Sequence, residues 1–182
     1  MFPLSFYRDL RIAYCLSVNP DYDPDKDDGL AGDAFELAVR AYVGHAVKRN
    51  LKAGQLAPQG KCDDRIGRRN YEFKTGAGKL SSPRGNRLLA GSGYVLYVPV
   101  VDYDLPVDKQ EGFFLSREDF LACLDRAGAI RTKPWGNETI YTIQTFWNRS
   151  KNKPHGKLLA RMLDELYEAG IPLEEYLPTL RK

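Results

Sequence analysis

Cysteine is scarce in this chain. There are three in 182 residues, and Cys15, Cys62 and Cys123 stand far apart with no Cys-x-x-Cys pair. That excludes a disulfide framework and a thiolate zinc site, and leaves Cys15 and Cys123 as small buried hydrophobes. Histidine is scarcer still, with His45 and His155 alone, so a histidine-based catalytic or metal site is not expected. No apolar run approaches the length that spans a bilayer, and residues 1–8 lack the charged start and long apolar core of a secretory signal. The expectation is a reduced, cytoplasmic protein with no membrane partner. A surplus of one charge is missing too: 27 Lys and Arg face 24 Asp and Glu, a net +3. The whole molecule is no polycation, so any nucleic-acid surface has to come from local clustering.

What is present is ordinary globular material, 43% hydrophobic and 28% charged, in a length that suits one domain. Residues 7–18 read as a short helix with Tyr7, Leu10, Tyr14 and Leu16 as its apolar members. The acidic loop 21–29 alternates Asp23, Asp25 and Asp27, but a calcium loop starting at Asp23 needs Gly where Asp28 stands and Glu where Ala34 stands. It is a solvated loop. A helix follows from about Ala31 to Leu51, with Phe35, Leu37, Ala38, Ala41, Tyr42, Ala46 and Val47 near helical spacing. Glu36 lies beside its apolar stripe, where a carboxylate needs a cation to meet it.

Thr75–Ser81 has the look of a phosphate loop, but Phe73 occupies the position of the first Walker glycine, so the pattern fails. Gly93–Val101 is the best strand, apolar nearly throughout and therefore central. Gly112–Leu115 is a short strand. Ser116 caps a helix to about Ala127, with Asp119 in a capping-box-like position, Gly128 as its stop, and Phe120, Leu121 and Leu124 inward. Thr139–Trp147 alternates as a strand. A basic stretch, 149–157, follows Phe146 and Trp147. It leads into a helix over Lys157–Ala169 with Leu158, Leu159, Met162, Leu163 and Leu166 as a core stripe or dimer face. This order of elements predicts an α/β domain of three layers around a central mixed sheet.

The chemistry concentrates in residues 60–78, read as a hairpin. Alternate residues of a strand share a face, so Glu72 and Lys74 project together while Tyr71 and Phe73 point the other way. A two-residue turn at Arg68-Arg69 places Asp63 opposite Lys74 and gathers Cys62 and Ile66 with Tyr71 and Phe73. A three-residue turn places Asp64 opposite Glu72 instead, and a shift of one residue swaps every side chain between faces. The first register is preferred because it keeps the apolar residues together.

Asp63 (or Asp64) followed by Glu72-Phe73-Lys74, with Glu36 on the preceding helix, resembles the PD-(D/E)XK nuclease superfamily, although Cys62 stands where the motif has Pro. The resemblance covers about residues 31–100. It implies a restriction-endonuclease-like fold in a single domain over 1–182, with the core at about 31–147 and a C-terminal basic loop and helix at 148–182. It further implies a Mg²⁺-dependent nuclease, an endonuclease of phage, mobile-element, repair or restriction type, with Mn²⁺ as a substitute ion. DNA is the implied partner, RNA the other compatible nucleic acid, and a homodimer one arrangement. Mg²⁺ takes oxygen ligands and keeps several waters. Asp63, Asp64, Glu72 and Glu36 are its candidate ligands; Asp63, Glu72, Lys74 and Glu36 form the candidate catalytic set, Lys74 serving the attacking water. Arg65, Arg68, Arg69, Lys79 and Arg84 are the candidates for phosphate contact. The alternative is a nucleic-acid- or protein-binding module on the same fold without catalysis.

Overall fold

The computed structural model describes residues 1–27, 29–45, 63–78, 80, 93–135, 138–144, 147–148, 153–154 and 156–181. Two helices come first, α1 (Leu4–Val18) and α2 (Leu30–Tyr42). The hairpin strands β1 (Asp64–Ile66) and β2 (Arg69–Thr75) follow, then β3 (Tyr94–Val98) and β4 (Phe113–Ser116). Helix α3 (Arg117–Arg126) leads to the strand pair β5 (Ile130–Trp135) and β6 (Glu138–Ile143) and the short pair β7 (Trp147–Asn148) and β8 (Lys153–Pro154). The chain closes with α4 (Gly156–Ala169), β9 (Ile171–Pro172) and the single turn α5 (Leu173–Tyr176).

A mixed five-stranded sheet, in the order β1-β2-β3-β4-β9, carries the fold. Strand β2 runs parallel to β3, and every other neighbouring pair is antiparallel. One face presents Tyr71, Phe73, Leu96, Val98 and Phe114 to Leu4 and Tyr7 of α1, Ala34, Phe35 and Ala38 of α2, and Leu173 and Tyr176 of α5. The other presents Val95, Tyr97, Phe113 and Leu115 to Phe120, Cys123 and Leu124 of α3 and to Leu158, Met162 and Leu166 of α4. Residues Val95 to Val98 are all buried, which is why that strand reads as continuously apolar: each face meets a helix layer. The chain is thus α/β, with helices on both faces of a mixed sheet. Among the described residues no helix is long and apolar enough to cross a membrane.

Three local expectations change. Helix α1 begins at Leu4 and buries Leu4, Tyr7, Arg11 and Cys15, leaving Leu10 and Leu16 half exposed. Arg11 is tolerated inside because Asp33 of α2 meets its Nε at 2.6 Å. Helix α2 stops at Tyr42 rather than running to 51: Gly44 takes φ +75°, and the His45 amide donates to the Arg40 carbonyl at 2.9 Å, a Schellman closure. Residues 46–51 of the expected helix lie outside the described residues. The alternating segment at 139 forms β6 but pairs with β5, a strand not expected from sequence, in a separate two-stranded sheet. The cap of α3 is as expected, with the Asp119 amide donating to Ser116 Oγ at 3.0 Å.

Candidate active site

The hairpin turns on Gly67-Arg68, with Ile66 opposite Arg69 and Gly67 at φ +62°. Neither of the two expected registers is adopted. The pairing lies two residues from the preferred one, Asp64 facing Tyr71 and Arg65 facing Asn70. Asp63 lies just before β1; its amide also donates to the Tyr71 carbonyl at 2.9 Å, and its side chain meets Glu72. An even slide preserves facing. Asp63, Glu72 and Lys74 therefore still share one face, and Ile66 still packs toward the cluster of Tyr71 and Phe73. Asp64 is turned to the opposite face and is not brought to Glu72.

Asp63 is held by the backbone of the strand it faces, the Phe73 amide donating to its Oδ2 at 2.8 Å. Glu72 is 7% exposed, and Lys74 Nζ lies 3.5 Å from its Oε2. Burial, and after it the charge of Asp63, push the Glu72 carboxyl up to about 7 against the opposing pull of Lys74. Asp63 and Glu72 also lie within hydrogen-bonding reach of each other. Two carboxylates so close need a proton or a cation between them. Desolvation outweighs the ammonium beside it, so the pair favours the proton when no other cation is bound.

Glu36 is 9% exposed on α2 and is also raised to about 7, by burial first and then by Asp63. The cation expected beside it is the chain's own Arg40, one helical turn on, whose Nη2 lies 2.8 Å from Glu36 Oε1. The same Nη2 donates to the Asp63 carbonyl at 2.8 Å, tying α2 to the start of β1. Asp64 sits in this second group: its Oδ2 is 3.0 Å from His45 Nδ1 and 4.0 Å from Arg40 Nε. His45, in a chain where no histidine-based site is expected, is thereby an acid's partner. The structure separates the acidic residues into an Asp63–Glu72–Lys74 face and an Arg40-centred cluster of Glu36, Asp64 and His45, and Asp63 touches both.

Of the expected phosphate-contact residues, Arg65 is exposed on β1, facing Asn70, and Arg68 is exposed at the turn. Arg69 spreads over the Tyr94 ring, 5.1 Å from its centroid, and its Nη1 reaches the Tyr176 hydroxyl at 3.4 Å. Lys79 and Arg84 lie outside the described residues. Sequence reasoning missed Arg40 and Arg117. Arg40 was legible as a partner from its spacing of four from Glu36 on a helix. Arg117, at the first turn of α3, carried no such sign; it is 4% exposed and near enough to Glu72 to pull its carboxyl down.

The donor set is all carboxylate oxygen, which fits a hard ion such as Mg²⁺ bound through one or two carboxylates and several waters. Among the described residues no three His, Cys, Asp or Glu side chains come together as a metal-binding group; what converges is the pair Asp63 and Glu72. No protein-family model matches the chain, and no match is found among curated proteins or among solved structures.

Proposed function

We propose that the protein is a metal-dependent nuclease that hydrolyses DNA phosphodiester bonds, on a restriction-endonuclease-like version of its α/β fold. The observation that carries this reading is the meeting of the Asp63 and Glu72 carboxyls, within hydrogen-bonding reach of each other, with Lys74 Nζ 3.5 Å from Glu72 Oε2. Asp63 and Glu72 would hold Mg²⁺, or Mn²⁺ in its place. That ion, when bound, supplies charge compensation for the phosphate and a water acidic enough to attack near neutral pH.

The chain's own residues do the rest. Phe73 N–H fixes the Asp63 carboxylate, leaving its orientation independent of ligand. Lys74, partly buried, orients the attacking water and meets charge developing on the phosphate. Glu36 contributes through its nearness to Asp63, restrained by Arg40. Arg65 and Arg68, exposed beside this face, contact the phosphate backbone.

The test is cleavage of supercoiled plasmid, linear duplex, single-stranded and branched DNA, and RNA, with Mg²⁺ or Mn²⁺ and with a chelated control. Wild type is expected to cut DNA only with metal, and Glu72→Gln and Lys74→Met each to lose about 10²-fold or more, the usual scale for a positioned charge or acid–base group. Activity surviving in both variants would overturn the site. A binding module on the same fold is the second reading. The observation favouring it is that Arg40 already neutralises Glu36. Absence of Mg²⁺ and Mn²⁺ binding by titration calorimetry, with nucleic acid still bound, would establish that reading instead.

A further inference from the structure

A cleft of about 510 Å³ opens at the end of the central sheet, below Glu72. The hairpin residues Arg68, Arg69 and Asn70 line one side, and Arg117 and Glu118, at the start of α3, line the other. Asn70 precedes Glu72 by two positions, so the cleft begins about 7 Å along the strand from the carboxylate pair. Three guanidinium groups oppose one carboxylate here, an excess of positive charge uncommon in a chain whose net charge is only +3.

Two independent features mark it as built to hold an anion. Arg117 is 4% exposed, and its Nε is buried without a hydrogen-bond partner among the described residues. A guanidinium donor buried and unpaired costs more than an ordinary lost hydrogen bond, a cost that an acceptor entering beside Arg117 would recover. The floor is shaped around it: Gly93 adopts φ +153°, and a Cβ there would come within 3.4 Å of Arg117 Nη2 and 3.3 Å of the Asn70 carbonyl. The second feature is the N-terminus of the ten-residue helix α3, whose dipole favours negative charge at this point. Its first amide is spent on the Gly93 carbonyl at 2.9 Å, which fixes Arg117 against the cleft.

We propose that this cleft is a phosphate-binding subsite, with Arg117 and Arg68 holding a phosphate group of a nucleic-acid strand whose neighbouring linkage lies at Asp63 and Glu72. The assignment rests on the nuclease reading for the identity of the strand. The site for the phosphate itself rests on the cleft alone. A guanidinium offers its Nε and Nη donors as a planar fork to two phosphate oxygens, which an ammonium cannot reproduce.

The test is carried out on the full chain in EDTA, so that neither metal nor cleavage enters. Arginine Nε–Hε resonances are followed by ¹H–¹⁵N NMR while inorganic phosphate is added. In parallel, fluorescence anisotropy measures binding of a 3′-labelled oligonucleotide, single-stranded and duplex, with and without a 5′-phosphate. Phosphate is expected to shift the Arg117 Nε–Hε signal. Arg68→Ala, at an exposed position, should weaken strand binding about threefold and Arg117→Lys about tenfold, and both should flatten the dependence of affinity on salt. Should Arg117 destabilise when changed, Arg68→Ala and the wild-type resonance still decide.

An Arg117 signal indifferent to phosphate, with strand affinity unchanged in Arg68→Ala, overturns the subsite even if metal-dependent cutting is observed elsewhere. A shifted signal with no strand bound keeps the phosphate site and overturns the nucleic-acid source. A shifted signal and bound strand with no metal-dependent cutting keeps the subsite and overturns the nuclease.

Discussion

Replacing Glu72 by Gln should stabilise the fold, and by an amount that depends on pH. Glu72 is raised from an ordinary 4.5 to about 7, chiefly by burial and then by Asp63. A carboxyl raised in the folded state holds its proton there more tightly than in the unfolded chain. Its favourable contribution is therefore complete below about pH 4.5 and is lost as the pH climbs to about 7. A shift of that size corresponds to about 3 kcal/mol. Gln keeps the shape and can donate to Asp63 without ever becoming charged, so the variant escapes the loss. The ion pair with Lys74 that it gives up is worth about 1 kcal/mol at most, because that ammonium is partly exposed. Urea unfolding in EDTA should show wild type and Glu72→Gln nearly equal at pH 4.5. At pH 8 the variant should be more stable by about 2–3 kcal/mol, or roughly 4–12 °C in melting temperature for a chain of this length. Mg²⁺ should close the gap from the wild-type side, by about 2.7 kcal/mol at a hundred times its dissociation constant, and leave the variant unmoved. A difference between the two proteins that does not change with pH, or a variant less stable at pH 8, would refute the reasoning.

Two further perturbations examine the supports of the site. Arg40→Met strands Glu36 and the Asp63 carbonyl, and should cost about 3–5 kcal/mol at pH 8, the range for breaking a buried ion pair. At pH 5.5 the loss should shrink, since Glu36, raised to about 7, is then neutral; chemical denaturation at the two pH values reads the difference. The buried hydroxyls of Tyr71 and Tyr176 bond each other at 2.7 Å. Tyr176→Phe should cost about 1–2 kcal/mol by orphaning the Tyr71 hydroxyl, Tyr71→Phe less because Arg69 still reaches Tyr176, and the double change less than the sum, which a double-mutant cycle measures.

Much of the scaffold was legible because its signals are local. Ser116 with Asp119 announces the start of α3, and the unbroken apolar run at 94–98 announces a strand covered on both faces. Signals also existed that were read too weakly. Gly44 marks the end of α2, yet apolar spacing beyond it suggested that the helix continued. Other features had no local sign. Strand β5 contains Pro134 after the exposed Arg131, Thr132 and Lys133, and β6 pairs with it along its whole length. The C-terminal Leu173, Tyr176 and Leu177 are core residues because β9 docks on β4 and places them under Phe114, whose ring stacks on Tyr176 at 3.6 Å. Burial of this kind depends on contacts far away in sequence, which composition does not encode.

The hairpin separates what a sequence can say about such a site from what it cannot. Facing is set by parity: Ile66 must join Tyr71 and Phe73 in the core, so odd-numbered Asp63 must share a face with Glu72 and Lys74 in any even register. The choice between Asp63 and Asp64 is thus a question of hydrophobic burial, and the apolar residues answer it. The register itself is set by the turn, and Gly67 at φ +62° moves that turn to Gly67-Arg68. The slide of two residues leaves every face intact, and the Asp63 carboxyl meets Glu72 rather than standing across from Lys74. Two acids then meet, and Glu72 is raised to about 7, by its burial first and by the charge of Asp63 second. A hairpin built only for stability has no reason to bring a second carboxylate against a buried one, since like charges in contact destabilise it. Two carboxyls held this close need a proton or a cation between them, and the raised Glu72 supplies the proton when no cation is bound.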